Sequence, residues 1–159
     1  MKTAFFAIVA AIVVLAAPLA WGQECSEEIV FETSAGTIVM HHEEALFNCC
    51  AYLEVEVVHT PFEIDIVEWE MFEYGPCYCL CCFGADATIS GLPAGDYSVS
   101  VWKAYYNFDD TWTHELAGTW IIPVSGRSLP SVETSYEPCV GTAIADELDS
   151  WGVIKALFR

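Results

Sequence analysis

Apolar and polar residues alternate along much of the chain. In the segment AYLEVEVV, Leu53, Val55 and Val57 occupy every second position, and Glu54 and Glu56 fill the positions between them. A period of two is typical of a strand that buries one face and exposes the other to water. This segment is therefore predicted to be a half-buried β-strand.

Seven segments of this kind are separated by turn signals such as Ser34-Ala35-Gly36 and GLPAG. They read EIVFET, GTIVMH, AYLEVEVV, FEIDIVEWEM, CLCCFGADATI, DYSVSVWKAYY and LAGTWIIPVS. None of them has the 3.6-residue period of an amphipathic helix. We therefore predict an all-β fold, an antiparallel β-sandwich of about seven strands.

The fourth segment, FEIDIVEWEM, has apolar residues in two phases. Ile64 and Ile66 start the alternation, and Val67, Trp69 and Met71 continue it one residue out of step. A shift of one residue moves the apolar set to the other face of a strand. We therefore predict a β-bulge or a crossing between sheets after Ile66.

The first residues are predicted to form an export signal. Lys2 precedes the apolar run AFFAIVAAIVVLAA, Pro18 follows it, and AWG ends at Gly22 as a small-x-small cleavage site. The alternative is an uncleaved membrane anchor, for which the run is shorter than the roughly 20 residues of a span. We expect residues 1–22 to be a cleaved signal helix, with no stable membrane span afterwards and a secreted, periplasmic or cell-surface location.

The remaining chain is predicted to form one sandwich domain, residues 23–125, and a C-terminal part, residues 126–159. The segment after Ser125 is rich in turn residues and lacks alternation, which favours an extended arm tied down near Cys139. SWGVIKALFR, residues 150–159, is predicted to form a short helix that Ser150 caps. Whether this helix packs on the sandwich or serves as a sorting tag stays open.

The charge of the chain excludes one large class of partners. It has 23 Asp and Glu against 5 Lys and Arg, a net charge of −18. A chain this acidic repels phosphate backbones, so we expect no nucleic-acid partner. The sequence also contains no Gly-x-Ser-x-Gly elbow and no phosphate-binding loop. We therefore expect a non-catalytic binding or structural module at or outside the cell, not an enzyme, with a protein or glycan partner.

Eight cysteines follow the predicted signal, and four of them lie in the segment PCYCLCCF. They are Cys25, Cys49, Cys50, Cys77, Cys79, Cys81, Cys82 and Cys139. An even number of cysteines in an exported chain predicts disulfide bonds, here four of them. Residues two apart on a strand have Cα atoms about 6.6 Å apart, near the upper limit for a bridge. Each clustered cysteine is therefore expected to pair with another strand or loop.

All eight cysteines can be assigned to disulfide pairs in this way. Adjacent Cys49 and Cys50 face opposite ways on a strand, so one of them can reach the Cys77, Cys79 and Cys81 face and the other can meet Cys82. The two cluster cysteines that remain would pair with Cys25 and Cys139. Both chain ends would then be attached to the centre of the molecule.

A thiolate metal site is the alternative interpretation of the same cluster. Cys77, Cys79 and Cys81, with Cys49 or Cys50 and with His42, would suit copper(I) or zinc. A metal needs thiolates, which an exported protein usually loses to oxidation. We therefore expect no cofactor, with copper or zinc as the alternative.

Two stretches carry a resemblance to known proteins. GLPAGDYSVSVW is similar to the late hairpin of prealbumin-like and immunoglobulin-like sandwich modules in bacterial surface proteins. HEEALFNCC, PCYCLCCF and GLPAGDY together resemble a group of small exported bacterial proteins with no established activity, in which Cys82 would be an additional cysteine. The resemblance implies a sandwich fold and an exported protein, and it implies no activity.

Aromatic residues are concentrated between residues 102 and 120. They are Trp102, Tyr105, Tyr106, Phe108, Trp112 and Trp120. Packing within the sandwich is the prediction for most of them. Rings near the hairpin tip, such as Phe108 and Trp112, are the candidates for a contact surface with a sugar or a protein.

Overall fold

The structure, a computed structural model, describes residues 25–107 and 109–139. The predicted signal peptide, residues 1–22, and the predicted terminal helix, residues 150–159, lie outside the described residues, as does Phe108. In the described part of the chain, no helix is long and apolar enough to cross a membrane.

Eight strands form the described part of the chain. They are β1 (Glu28–Ser34), β2 (Thr37–Asn48), β3 (Ala51–Thr60), β4 (Glu63–Phe72), β5 (Leu80–Ser90), β6 (Gly95–Tyr106), β7 (Trp112–Val124) and β8 (Ser131–Glu137). One sheet has the order β1-β2-β5-β8 and the other the order β3-β4-β6-β7. The predicted all-β sandwich is confirmed, and the first seven strands fall on the seven predicted segments.

One pair of neighbouring strands differs from the predicted antiparallel arrangement. β4 and β6 run parallel, from the pair Glu63 and Ser98 to the pair Trp69 and Ala104. Between these two strands the chain crosses to the other sheet, forms β5 and crosses back. Because that return journey reverses the chain twice, β6 comes back in the direction of β4.

The eighth strand occupies the segment that the sequence predicted as an arm. β8 pairs antiparallel with β5, from Ser131 opposite Ser90 to Glu137 opposite Gly84. Every residue of β8 is exposed. An edge strand with two wet faces has no apolar alternation, so the pattern along the sequence could not mark it as a strand.

The bulge predicted in the fourth segment is wrong. β4 pairs with β3 over ten residues without a register shift, and its pairing with β6 is equally regular. Ile64 and Ile66 are buried, and Glu68 and Glu70 continue on the same face and are also buried. The phase never switches, because the inner face changes from apolar to acidic.

The core between the sheets has two apolar clusters. The larger includes Ile38, Met40, Ile64, Ile66, Ala87, Ile89, Leu92, Tyr97, Val99, Val101, Ile122 and Val124. The smaller includes Ala45, Phe47, Leu53, Cys81, Phe83 and Ala85. Between the clusters lie the buried polar residues His42 on β2, Glu68 on β4 and Lys103 on β6. A polar layer therefore crosses the sandwich near its middle.

Candidate functional site

All eight cysteines are paired in four disulfides. The bridges are Cys25–Cys82, Cys49–Cys79, Cys50–Cys77 and Cys81–Cys139, with Cα separations of 5.6, 5.6, 5.8 and 5.7 Å. These separations lie within the usual range for a bridge. Two bridges connect the β2–β3 corner to the segment before β5, and the other two attach the first and last described residues to β5.

The expected partner of Cys82 is the part of the predicted pairing that is wrong. Cys82 pairs with Cys25, whereas Cys49 and Cys50 pair with Cys79 and Cys77. β5 begins at Leu80, so Cys77 and Cys79 lie in an irregular segment to which strand alternation does not apply. Both of their sulfurs can therefore reach the same corner.

Asn48 organises that corner by hydrogen bonding to the backbone, as its position before two cysteines suggests. Its side-chain Nδ2 donates to the Cys77 carbonyl at 2.6 Å. Its Oδ1 accepts from the N–H groups of Cys50 at 3.0 Å and Cys77 at 3.1 Å. The Asn48 N–H itself donates to Glu70 at 2.8 Å. One amide therefore positions both cysteine segments for bridging.

His42 does not join the cysteines as the metal alternative requires. It faces Ala85 across β2 and β5, whereas Cys81 faces Phe47 further along the same pair of strands. The His42 ring is buried, and its Nδ1 lies 2.9 Å from both carboxylate oxygens of Glu68. Over the described ranges, no group of three or more His, Cys, Asp or Glu side chains is arranged to hold a metal ion.

A partly buried ion pair, between the buried Lys103 and the more exposed Glu27, adjoins the polar layer. Lys103 Nζ donates to both carboxylate oxygens of Glu27 at 2.8 Å, and the Leu46 N–H donates to the same carboxylate at 2.9 Å. Burial alone would raise the pKa of Glu27, but these donors outweigh it and hold that pKa below its usual value. Burial alone would lower the pKa of Lys103, but the hydrogen bonds to Glu27 and the nearby Tyr105 side chain raise it above its usual value.

A row of aromatic rings, which we call the aromatic row, begins with Phe72 at the end of β4 and continues with Tyr106, Trp112 and Trp69 on the outer face of the sheet β3-β4-β6-β7. Successive ring centroids are 5.8, 5.6 and 5.0 Å apart. The three pairs meet at interplanar angles of 61°, 73° and 85°. Edge-to-face contacts of this kind stabilise neighbouring rings beyond the effect of buried apolar area, and they favour one relative orientation of the rings. Trp69 and Trp112 remain partly exposed.

The sequence places a small residue beneath the aromatic row. Ala104 on β6 lies in register with Trp69 on β4 and with His114 on β7. It is fully buried, although it lies on the outer side of the sheet, and the rings of Trp69 and His114 are 5.2 Å apart above it. A larger side chain at this position would separate the rings.

Two adjoining cavities run along the aromatic row and form an open groove, which we call the aromatic groove. Their volumes are about 500 and about 330 Å³. Met71 and Trp112 line both cavities. The remaining lining residues are Glu54, Val55, Glu56, Trp69, Glu70, Phe72, Gly75, Pro76 and Tyr106.

Carboxylates are the charged groups of the aromatic groove. Glu54 and Glu56 line the larger cavity, and Glu56 accepts a hydrogen bond of 3.0 Å from the Trp69 indole N–H. In residues 25–107 and 109–139, the Lys and Arg residues are Lys103 and Arg127. Lys103 is buried in the core, and neither it nor Arg127 is among the lining residues, so within these ranges no Lys or Arg lines the groove.

Half of this site was missed from the sequence. The aromatic concentration between residues 102 and 120 contributes Tyr106 and Trp112 to the row. Tyr105 instead packs on Phe47 in the core at 5.6 Å, and Trp120 packs on Phe31 at 5.1 Å. Trp69 and Phe72 come from β4. The out-of-phase apolar residues of that segment, which include Trp69 but not Phe72, were the signal, because they mark an outer face that is also apolar.

Comparisons of the chain with protein-family models, with curated protein sequences and with solved structures each found no match.

Proposed function

We propose that this protein is an exported, disulfide-stapled β-sandwich that acts as a non-catalytic binding module outside the cell, with the aromatic groove as its binding surface. The single observation that supports this role most strongly is the outer face of the sheet β3-β4-β6-β7. A solvated sheet face ordinarily carries polar side chains. Here it carries an aromatic row with cavities beside it, and exposed apolar patches of this kind mark interaction sites.

Export is supported by the four disulfides, since such bonds persist in oxidising compartments. The bridges also serve binding, because they hold the β2–β3 corner and the segment before β5 in place. Gly75 and Pro76, which line the smaller cavity, lie just before Cys77 of the bridge Cys50–Cys77. A groove held in one shape loses less freedom when a ligand binds.

The test of the proposed binding role compares two ring deletions. Trp112→Ala removes the ring that both cavities share, and Tyr136→Ala removes a half-exposed ring from β8 on the other sheet. Purified oxidised protein is titrated by calorimetry with a panel of soluble glycans and of neutral, basic and acidic peptides. We expect any bound ligand to lose about tenfold or more in affinity with Trp112→Ala, as for a central aromatic anchor.

Tyr136→Ala is expected to leave that affinity unchanged, and far-ultraviolet circular dichroism confirms that both variants fold. The proposed role is overturned if every ligand that binds the wild-type protein binds Trp112→Ala equally well.

The mass of the natively exported protein, measured with and without alkylation, distinguishes disulfide bonding from the alternative of a thiolate metal site. Four bridges leave eight sulfurs unreactive, and we expect no mass increase. Copper or zinc bound to alkylatable cysteines would instead assign the cluster to metal binding.

A further inference from the structure

We propose that the aromatic groove binds an extended basic peptide segment, with a lysine or arginine side chain seated between the carboxylates of β3 and the tryptophan rings. This inference rests on the proposed binding role of the groove and adds the class of ligand. It follows from the charge of the groove, the chemistry of its two cavities and the net charge of the chain.

The larger cavity combines the two groups that attract an organic cation. Glu54 and Glu56 line it together with Trp69 and Trp112. A cation over a tryptophan face is attracted by the ring quadrupole, and a carboxylate adds a direct ion pair. The hydrogen bond from Trp69 to Glu56 holds ring and carboxylate side by side before any ligand arrives.

The smaller cavity suits an apolar side chain. Its carboxylate, Glu70, is buried and accepts hydrogen bonds from the N–H groups of Asn48 at 2.8 Å and Tyr106 at 3.2 Å. Those bonds use its oxygens within the fold. The remaining surface comes from Phe72, Pro76 and the Tyr106 ring. The groove therefore has a cation-binding end and an apolar end.

The groove has the length of a short extended peptide. Glu56 is in register with Val67, and Phe72 with Ala51, so the groove follows six residues of β3 and β4. Five steps of about 3.3 Å make about 17 Å, the span of six extended residues. A basic residue and an apolar residue two or four positions apart face the same way on an extended chain and would occupy the two ends together.

The charge of the whole chain favours the same class of ligand. With a net charge of −18, the protein attracts cations over distances up to the screening length and repels acidic peptides and anionic glycans. A neutral glycan stacked on the rings would gain nothing from this field. Salt dependence therefore distinguishes a basic peptide from a neutral sugar.

The experiment uses the full oxidised chain and three probes: the blocked hexapeptide (Lys-Lys-Leu)₂, in which each leucine has a lysine two positions before it, its neutral counterpart (Gln-Gln-Leu)₂ and a neutral oligosaccharide. We expect the lysine peptide alone to bind, and its affinity to fall by about tenfold or more between about 50 and about 500 mM NaCl. Glu54→Gln is expected to weaken it by about fivefold. Glu133→Gln makes the same charge change on β8 and is expected to alter affinity by less than about twofold.

Equal effects of Glu54→Gln and Glu133→Gln would overturn the inference, because attraction would then depend on net charge and not on the groove. Binding of a neutral probe that Trp112→Ala abolishes, without binding of the lysine peptide, would overturn the ligand class and leave the proposed binding role intact. If no probe depends on Trp112, both the ligand class and the binding role are wrong.

Discussion

His42, Glu68, Glu70 and Lys103 are buried inside a sandwich that is otherwise apolar. Burial of an ionisable side chain is costly unless hydrogen bonds compensate it. Each of these residues has such a partner, and across the described residues no buried side-chain nitrogen or oxygen lacks one. Each member of the polar layer therefore depends on its partner, because the loss of one residue leaves the buried polar group of another without its hydrogen bond.

A double-mutant cycle on His42 and Glu68 tests this dependence. Glu68→Leu leaves the buried imidazole without its acceptor, and we expect the free energy of unfolding to fall by about 1–3 kcal/mol. Replacing both partners, as His42→Leu with Glu68→Leu, is expected to restore part of that stability, because two apolar groups replace a buried polar pair. Urea unfolding of the oxidised proteins measures the cycle, and additive losses would contradict the expectation.

The ion pair between Glu27 and Lys103 makes stability depend on pH. The folded-state pKa of Glu27 is lowered, so its contribution is present above the unfolded value of about 4.3 and is lost as the pH falls through the folded value. The folded-state pKa of Lys103 is raised, so its contribution is present below about 10.4 and is lost as the pH rises through the folded value.

We expect Glu27→Gln to destabilise the protein near pH 7 and to lose that effect in acid. Chemical unfolding of wild-type and variant protein from about pH 7 to about pH 3 provides the measurement. The exposed neighbour Glu28 supplies the matched control, Glu28→Gln. A difference in the free energy of unfolding between wild type and Glu27→Gln that stays constant over this pH range would contradict the expectation.

At the scale of the strands, the sequence predicts the features that the alternation of apolar and polar residues can indicate. β3 matches its predicted inner face, on which Leu53 is buried, and the alternation within DYSVSVWKAYY coincides with the buried face of β6, which carries Tyr97, Val99 and Val101. β4 does not, because acidic residues occupy its inner face and apolar ones its outer face. The sequence did not predict the aromatic groove either, because the groove combines side chains from β4 and β7, which only the order of strands in the sheet brings together.

The protection of β8 amides reports on the role of the bridge Cys81–Cys139. Its side chains are exposed, and the bridge Cys81–Cys139 lies just beyond its last residue. Cys81→Ser with Cys139→Ser is expected to raise hydrogen exchange at β8 amides more than elsewhere, because little side-chain packing holds this strand. Cys50→Ser with Cys77→Ser should leave β8 protected. Equal exchange in the two variants would show that backbone pairing with β5 suffices.

At the scale of the whole molecule, the four bridges are unequal. Cys49–Cys79 and Cys50–Cys77 join the same two segments, so with one in place the other closes a ring of only a few residues. Removing Cys50–Cys77 is therefore expected to cost about 2 kcal/mol or less. Removing Cys25–Cys82, which closes a much longer loop, should cost roughly 3–4 kcal/mol. Urea unfolding of the paired serine variants compares the two, and the reverse order would contradict the expectation.

The bridges at the two ends have a mechanical consequence. Cys25 and Cys139 are attached to Cys82 and Cys81, which are neighbours in the chain. Tension applied through the two ends of the described chain therefore passes through two disulfides and the peptide bond between Cys81 and Cys82 of β5, and the rest of both sheets lies outside that path. A force probe pulling the oxidised protein should detect no stepwise lengthening, whereas the reduced protein should extend by on the order of 400 Å. A module built this way can keep its groove intact while it is being pulled.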